Sequence, residues 1–242
     1  MNRSSRVTGY GVSPVGKSVM NSEFWQERWK NKEIGFHQEK INPYLQRYWA
    51  GLKLDTSSAV RPRILVPLCG KSLDMLWIKE QGCDVIGVEL SPIACEEFFD
   101  ENRLEYSMMS LDQGQIYQSD GITLFCGDLF ELDSQAFGAV DAVFDRAALV
   151  ALPETMRKRY AARIRQISGD KLRCLLVTMD YSQDEMDGPP FSVTEEEVRA
   201  LYEETCQVRL LERFDVLEGN DRFLERGLTR LEELSFILLP KG

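Results

Sequence analysis

Histidine is nearly absent: His37 is the single imidazole in 242 residues. That excludes a histidine-built metal centre and leaves no Ser–His or Cys–His couple for nucleophilic catalysis. Patterned cysteine is missing too. Cys69, Cys83, Cys95, Cys126, Cys174 and Cys206 are scattered, with no C-x-x-C pair among them, so no metal or disulfide framework is encoded. Most lie in or beside apolar runs and read as reduced core residues of a cytoplasmic protein. No apolar run is long enough to span a bilayer, and the N-terminus has no apolar secretory segment. Positive charge is in deficit, with 29 Lys and Arg against 39 Asp and Glu and a net charge of −10. Nucleic acid and anionic membranes need a basic face, so neither is an expected partner. Small neutral or cationic ligands stay open, as does an anion held in a local basic pocket.

What is present is an ordinary globular chain. An apolar fraction of 43% over this length is enough to bury a real core. Residues 1–19 lack hydrophobic periodicity and read as a disordered extension, with Met20 a candidate natural start. Residues 20–242 read as one domain, without internal repeats or low-complexity tracts. Phe24, Trp25, Arg28 and Trp29 belong to a first helix, and Asn42-Pro43 caps a second through Trp49. RILVPL (63–68) is an apolar strand; Ser72 is the expected cap of the helix that follows, and Gly82 its stop. DVIGVEL (84–90) is the next strand, followed by a helix opened by Ser91-Pro92. Strands at ITLFC (122–126), AVDAVF (139–144) and LRCLLVTM (172–179) come next, with a helix from Pro153 to about Ile167 before the last. A helix from Thr194 to Cys206 precedes a closing pair, QVRLLERF (207–214) and LSFILLP (234–240). Apolar strands with crossover helices give an α/β, doubly wound, mostly parallel sheet of seven strands, its C-terminal strand antiparallel.

Ligands of such sheets sit beyond the carboxyl ends of the strands. The first strand ends in Pro67-Leu68-Cys69-Gly70-Lys71-Ser72, where Gly70 allows close backbone approach and a helix N-terminus follows. One glycine falls short of the three of a dinucleotide loop, and Val66 stands where a Walker loop needs glycine. Alone, the turn would read as an ordinary β-α connection. The second strand ends at Glu89, a carboxylate placed to accept both hydroxyls of an adenosine ribose. The third ends at Cys126-Gly127-Asp128-Leu129, where Asp128 can accept from an adenine amino group or merely cap a turn. Leu129 is expected to pack the ring. The fourth ends at Asp145-Arg146, where an arginine fork can hold an anionic or polarised acceptor; a salt bridge within the pair is the alternative. Trp25 and Trp29, one helical turn apart, read as a core stripe or as a lid.

These segments make a pattern. FWQERW (24–29), GFHQ (35–38), PLCGKS (67–72), GVELS (87–91), EFF (97–99), DRAALVAL (145–152) and GPPF (188–191), in that order, resemble the thiopurine S-methyltransferase family. Its bacterial members are also linked to methylation of selenium and tellurium compounds. The resemblance runs from about Ser22 to the C-terminus. It implies a Rossmann-like class I fold and S-adenosylmethionine as methyl donor. Trp25, Trp29, Leu68, Gly70, Glu89, Asp128, Leu129 and Arg146 would line the cofactor pocket, with Trp25, Trp29 and Phe36 as a lid. Arg146 and Arg222 would face the acceptor, a small thiol or selenol. Phe36 and His37 complete that side, His37 as the only imidazole available for proton transfer. Asp145 and Arg146 would serve catalysis, Asp145 by fixing the arginine or relaying a proton. No metal is implied, and the expected state is a monomer. The rival readings are a halide or thiol methyltransferase of similar fold, a nicotinamide-binding oxidoreductase, and a non-catalytic binding protein.

Overall fold

A computed structural model describes residues 22–241; the expected disordered extension over 1–19 lies outside them. The described chain opens with two short helices, α1 (Ser22–Lys30) and α2 (Pro43–Tyr48). Then β1 (Arg63–Pro67), α3 (Asp74–Glu80), β2 (Asp84–Glu89) and α4 (Pro92–Glu101) follow. β3 (Ser107–Leu111), β4 (Gly114–Ser119), β5 (Ile122–Cys126) and β6 (Ala142–Arg146) lead to α5 (Glu154–Ser168). The chain ends with β7 (Cys174–Asp180), α6 (Glu195–Tyr202), β8 (Cys206–Asp215), α7 (Asp221–Glu225) and β9 (Glu232–Pro240). Among the described residues no helix is long and apolar enough to cross a membrane.

All the strands join one sheet in the order β3-β4-β5-β2-β1-β6-β7-β9-β8. β5, β2, β1, β6 and β7 run parallel, while β9 is antiparallel to both β7 and β8. That is the expected seven-stranded arrangement, with β1 at the switch point: β2 lies on one side and β6 on the other. The sheet has nine strands, however, because β3 and β4 form an antiparallel hairpin on its β5 edge. β3 is almost wholly exposed and Tyr117 is the one buried residue of β4, so the hairpin lacks the apolar run that marks the other strands.

Both faces are covered, as parallel sheets require. Leu65, Ile86, Val143 and Leu176 point to the face that packs on α5 and its residues Tyr160 and Ile164. Their chain neighbours Ile64, Val85, Phe144 and Leu175 point to the other face, against Leu45, Phe98 and Phe99. All six cysteines are free and buried.

Helix starts follow side-chain chemistry. The Asn42 side chain accepts from the amides of Tyr44 and Leu45, and Ser91 and Thr194 cap α4 and α6. Ser72 is not the cap of α3, whose preceding residue is Leu73. Its hydroxyl accepts from the Asp74 amide and donates to Oδ2 of Asp74. Oδ1 of Asp74 accepts from the backbone N–H of Asn42 at 2.7 Å, so one buried carboxylate ties α3 to the cap of α2. Replacing Asn42 with Ala is expected to lower the unfolding free energy by about 1–2 kcal/mol in urea titrations. An unchanged midpoint would mean that the cap does not hold α2.

Candidate active site

The turn after β1 carries backbone strain where a ligand can approach. Leu68 has φ +46 and Gly70 φ +52, and left-handed Leu68 is uncommon for a branched residue. Two hydrogen bonds hold the turn to the end of β2, and a third fixes the carboxylate that makes one of them. The amide of Cys69 donates to the Val88 carbonyl at 2.9 Å. The amide of Gly70 donates to Oε2 of Glu89 at 2.8 Å, and the amide of Ser91 to Oε1 at 2.9 Å. Glu89 is buried, which pushes its pKa up, while the amides of Ser91, Gly70 and Leu90 pull it back. A side chain at Gly70 would press on Trp29, whose ring would lie 3.1 Å from an added Cβ.

One cavity of about 650 Å³ opens over these strand ends. Glu89, Leu90, Asp128 and Phe130 line it on the β2 and β5 side, and Arg146, Glu233 and Arg222 on the β6, β9 and α7 side. Leu68 lies between, with Trp25, Trp29 and Phe36 among the lining aromatics. Phe36 meets Trp25 and Trp29 edge to face, with centroids 5.7 and 5.6 Å apart. The two tryptophans therefore pack on Phe36 and face the cavity at once.

Asp128 accepts from the Phe130 amide at 2.8 Å through Oδ1, closing a turn at the cavity wall. Leu129 is not on that wall. It is buried in the core beneath, and its carbonyl accepts from Nε of Arg163 at 2.8 Å. Phe130, one residue on, takes the cavity position.

Arg146 and Asp145 part company. Successive strand residues face opposite sides, so Arg146 shares the face of Phe144 while Asp145 shares that of Val143. Asp145 accepts from the hydroxyl of Tyr160 at 2.7 Å and from the Leu149 amide at 3.2 Å. It therefore neither fixes the arginine nor reaches the cavity; it braces α5 and the chain after β6. Arg146 donates from Nη1 to the Phe36 carbonyl at 3.3 Å, linking the Phe36 segment to β6. Burial lowers its pKa, with Asp74 and Glu233 opposing.

Arg222 reaches the cavity from α7 and passes so close to Gly35 that an added Cβ there would overlap its guanidinium. Burial, then Arg226 and Arg28, lower its pKa. His37 lines a smaller recess of about 40 Å³ with Lys71, Ser72, Asp74 and Arg146. Burial and the Lys71 charge push its pKa down, so the ring is neutral at pH 7.

Glu233 is a cavity residue that no sequence pattern marks. β9 pairs it with Met179, and alternation turns it to the face opposite Glu232, which binds Arg213 and Arg230.

The family model for thiopurine S-methyltransferase matches residues 20–239. The chain belongs to that family. The thiopurine S-methyltransferase of Nitrosospira multiformis is 49% identical over 222 residues, 92% of this chain and 99% of that one. That of Bordetella petrii is 45% identical over 223 residues, 92% of this chain and 100% of its own. Among solved structures, a SAM-dependent methyltransferase of Anabaena variabilis aligns with TM-score 0.60 and 13% identity, covering 96% of this chain and all of that one. The Burkholderia thailandensis 1,6-didemethyltoxoflavin-N1-methyltransferase, solved with S-adenosylhomocysteine, also scores 0.60, at 15% identity over 98% of this chain and 94% of that one. These two share the fold. The thiopurine S-methyltransferase family member described here is an S-adenosylmethionine-dependent methyltransferase.

Burial raises the Asp145 carboxyl to about 6 from 3.8. A raised carboxyl binds its proton more readily folded than unfolded, so its contribution to stability is full below 3.8 and is lost as pH rises to about 6. Asp145→Asn is therefore expected to flatten the melting temperature against pH between these values, a span worth on the order of 3 kcal/mol. It should leave S-adenosylhomocysteine affinity within about threefold; a larger loss would return Asp145 to the cavity.

Proposed function

We propose that the protein transfers the methyl group of S-adenosylmethionine to the sulfur of aromatic or heterocyclic thiols such as thiopurines, and to selenium or tellurium analogues. The observation that carries the reading is one cavity with a buried ribose-type carboxylate on one side, two arginines on the other, and aromatic rings over both.

The residues present fit the donor. Each carboxylate oxygen of Glu89 accepts one backbone amide and keeps a lone pair for a ribose hydroxyl. Oδ2 of Asp128 can accept an adenine amino group, and Phe130, Leu152 and Met156 offer an apolar wall to the ring. Gly70 lets the backbone approach the amino-acid portion. When bound, the donor supplies an electrophilic sulfonium methyl. The chain orients and encloses the reactants. Trp25, Trp29 and Phe36 exclude water, while Arg146 and Arg222 hold a polarisable sulfur and its ring along the line of transfer. An aromatic thiol is partly ionised near neutral pH, so transfer to it needs no strong base. Leu129 acts as packing beneath the adenine wall, and His37 stays outside the main cavity.

The cavity volume and apolar wall favour a ring over a halide ion, and the single-glycine turn disfavours a nicotinamide dinucleotide. The negative net charge favours a small-molecule enzyme without nucleic-acid or membrane partners; we place it in the cytoplasm as a monomer with one domain over 20–242.

Arg146→Ala is expected to lower kcat/KM for a thiopurine about 10- to 100-fold, the value of a lost charged hydrogen bond. Calorimetric affinity for S-adenosylhomocysteine should fall far less. Equal loss of both would end this division of roles.

A further inference from the structure

The acceptor side of the cavity holds a group that a thiolate does not need. Arg146 and Arg222 suit an anionic or polarised sulfur, but Glu233 lines the same wall. A carboxylate beside a thiolate repels it. It suits a guest that presents a hydrogen-bond donor next to a polarised sulfur. Neutral heterocyclic thiones have this pattern, with a ring N–H beside C=S.

The position is built. β9 delivers Glu233 beside Met179 at the end of β7, and the Tyr44 hydroxyl of α2 donates to it. Arg146 shares its electrostatic field, and Arg222 lines the cavity with it from α7. Glu232 faces away into ion pairs with Arg213 and Arg230. Burial raises the Glu233 pKa, opposed by Arg146 and the Tyr44 hydrogen bond, which moves the carboxylate toward the strength of a useful base.

We infer that Glu233 accepts the ring N–H of a thione acceptor and takes its proton during methyl transfer, selecting N–H thiones over simple aryl thiols. The methyl carbon exchanges its bond to the donor's sulfur, which keeps the bonding pair, for a bond to the acceptor's sulfur. The ring N–H then breaks with its electron pair left on nitrogen, and the proton goes to a Glu233 oxygen. The product is a neutral S-methyl heterocycle.

The inference rests on the sulfur-acceptor reading above, and the test separates the two. Turnover of pyridine-2(1H)-thione and of benzenethiol is measured for the wild type and Glu233→Gln, with S-adenosylhomocysteine affinity by calorimetry as a check on the cofactor side. The expected result is a loss of about 100-fold on the thione, at least tenfold larger than the loss on benzenethiol. Parallel losses, or none, overturn the inference and leave the sulfur-acceptor reading standing. A wild type that methylates neither thiol removes both. The pH profile is a second readout. The thione stays neutral through acid and neutral pH, so a fall in wild-type turnover toward acid pH reports a protein base. Glu233, Asp74 and His37 are the groups around Arg146 able to titrate on the acid side. The acid limb should disappear in Glu233→Gln; a limb that survives assigns the base to Asp74 or His37 and overturns the inference.

Discussion

The site depends on one buried carboxylate held by two backbone amides. Glu89 accepts from Gly70 at the end of β1 and from Ser91 at the start of α4, so a single side chain sets the turn of one strand against that of the next. An isolated charge at this depth would be costly, and the amides make it tolerable. Each oxygen has acceptor capacity beyond its one amide bond. The same bonds hold Leu68 and Gly70 in left-handed conformations and present Gly70 to the Trp29 ring. Loss of this interaction would release the turn, the tryptophan contact and the cavity-lining carboxylate together.

From that point the sheet distributes roles by alternation. Asp145 and Arg146 are neighbours in the chain, yet one braces α5 through Tyr160 and the other enters the cavity and holds the Phe36 segment through its carbonyl. Glu232 and Glu233 divide in the same way, one into surface ion pairs and one into the cavity. Arg146 is half-buried, with Asp74 and Glu233 as its electrostatic counterweights. A guanidinium so placed lacks a full hydration shell, which in the proposed function would sharpen its preference for polarised sulfur.

Much of this was legible in the sequence, for identifiable reasons. Buried parallel strands are continuous apolar runs, so β1, β2, β5, β6 and β7 stand out, and their carboxyl ends point to Gly70, Glu89, Asp128 and Arg146. The β3–β4 hairpin did not stand out because its strands are polar and mostly exposed. Asp145 is next to Arg146 in sequence but faces the other side of the sheet. Leu129 is expected at the adenine ring, but it packs in the core and Phe130, one position on, lines the cavity. Glu233 carries no local signal, since its place follows from the pairing of β9 with β7.

The most direct measurement is calorimetric titration of the purified protein with S-adenosylhomocysteine, with NAD as control. The account predicts binding of S-adenosylhomocysteine at one site and no heat from NAD. Absence of S-adenosylhomocysteine binding, or equal binding of NAD, would contradict the assignment of Gly70, Glu89 and Asp128 to a methyl-donor pocket.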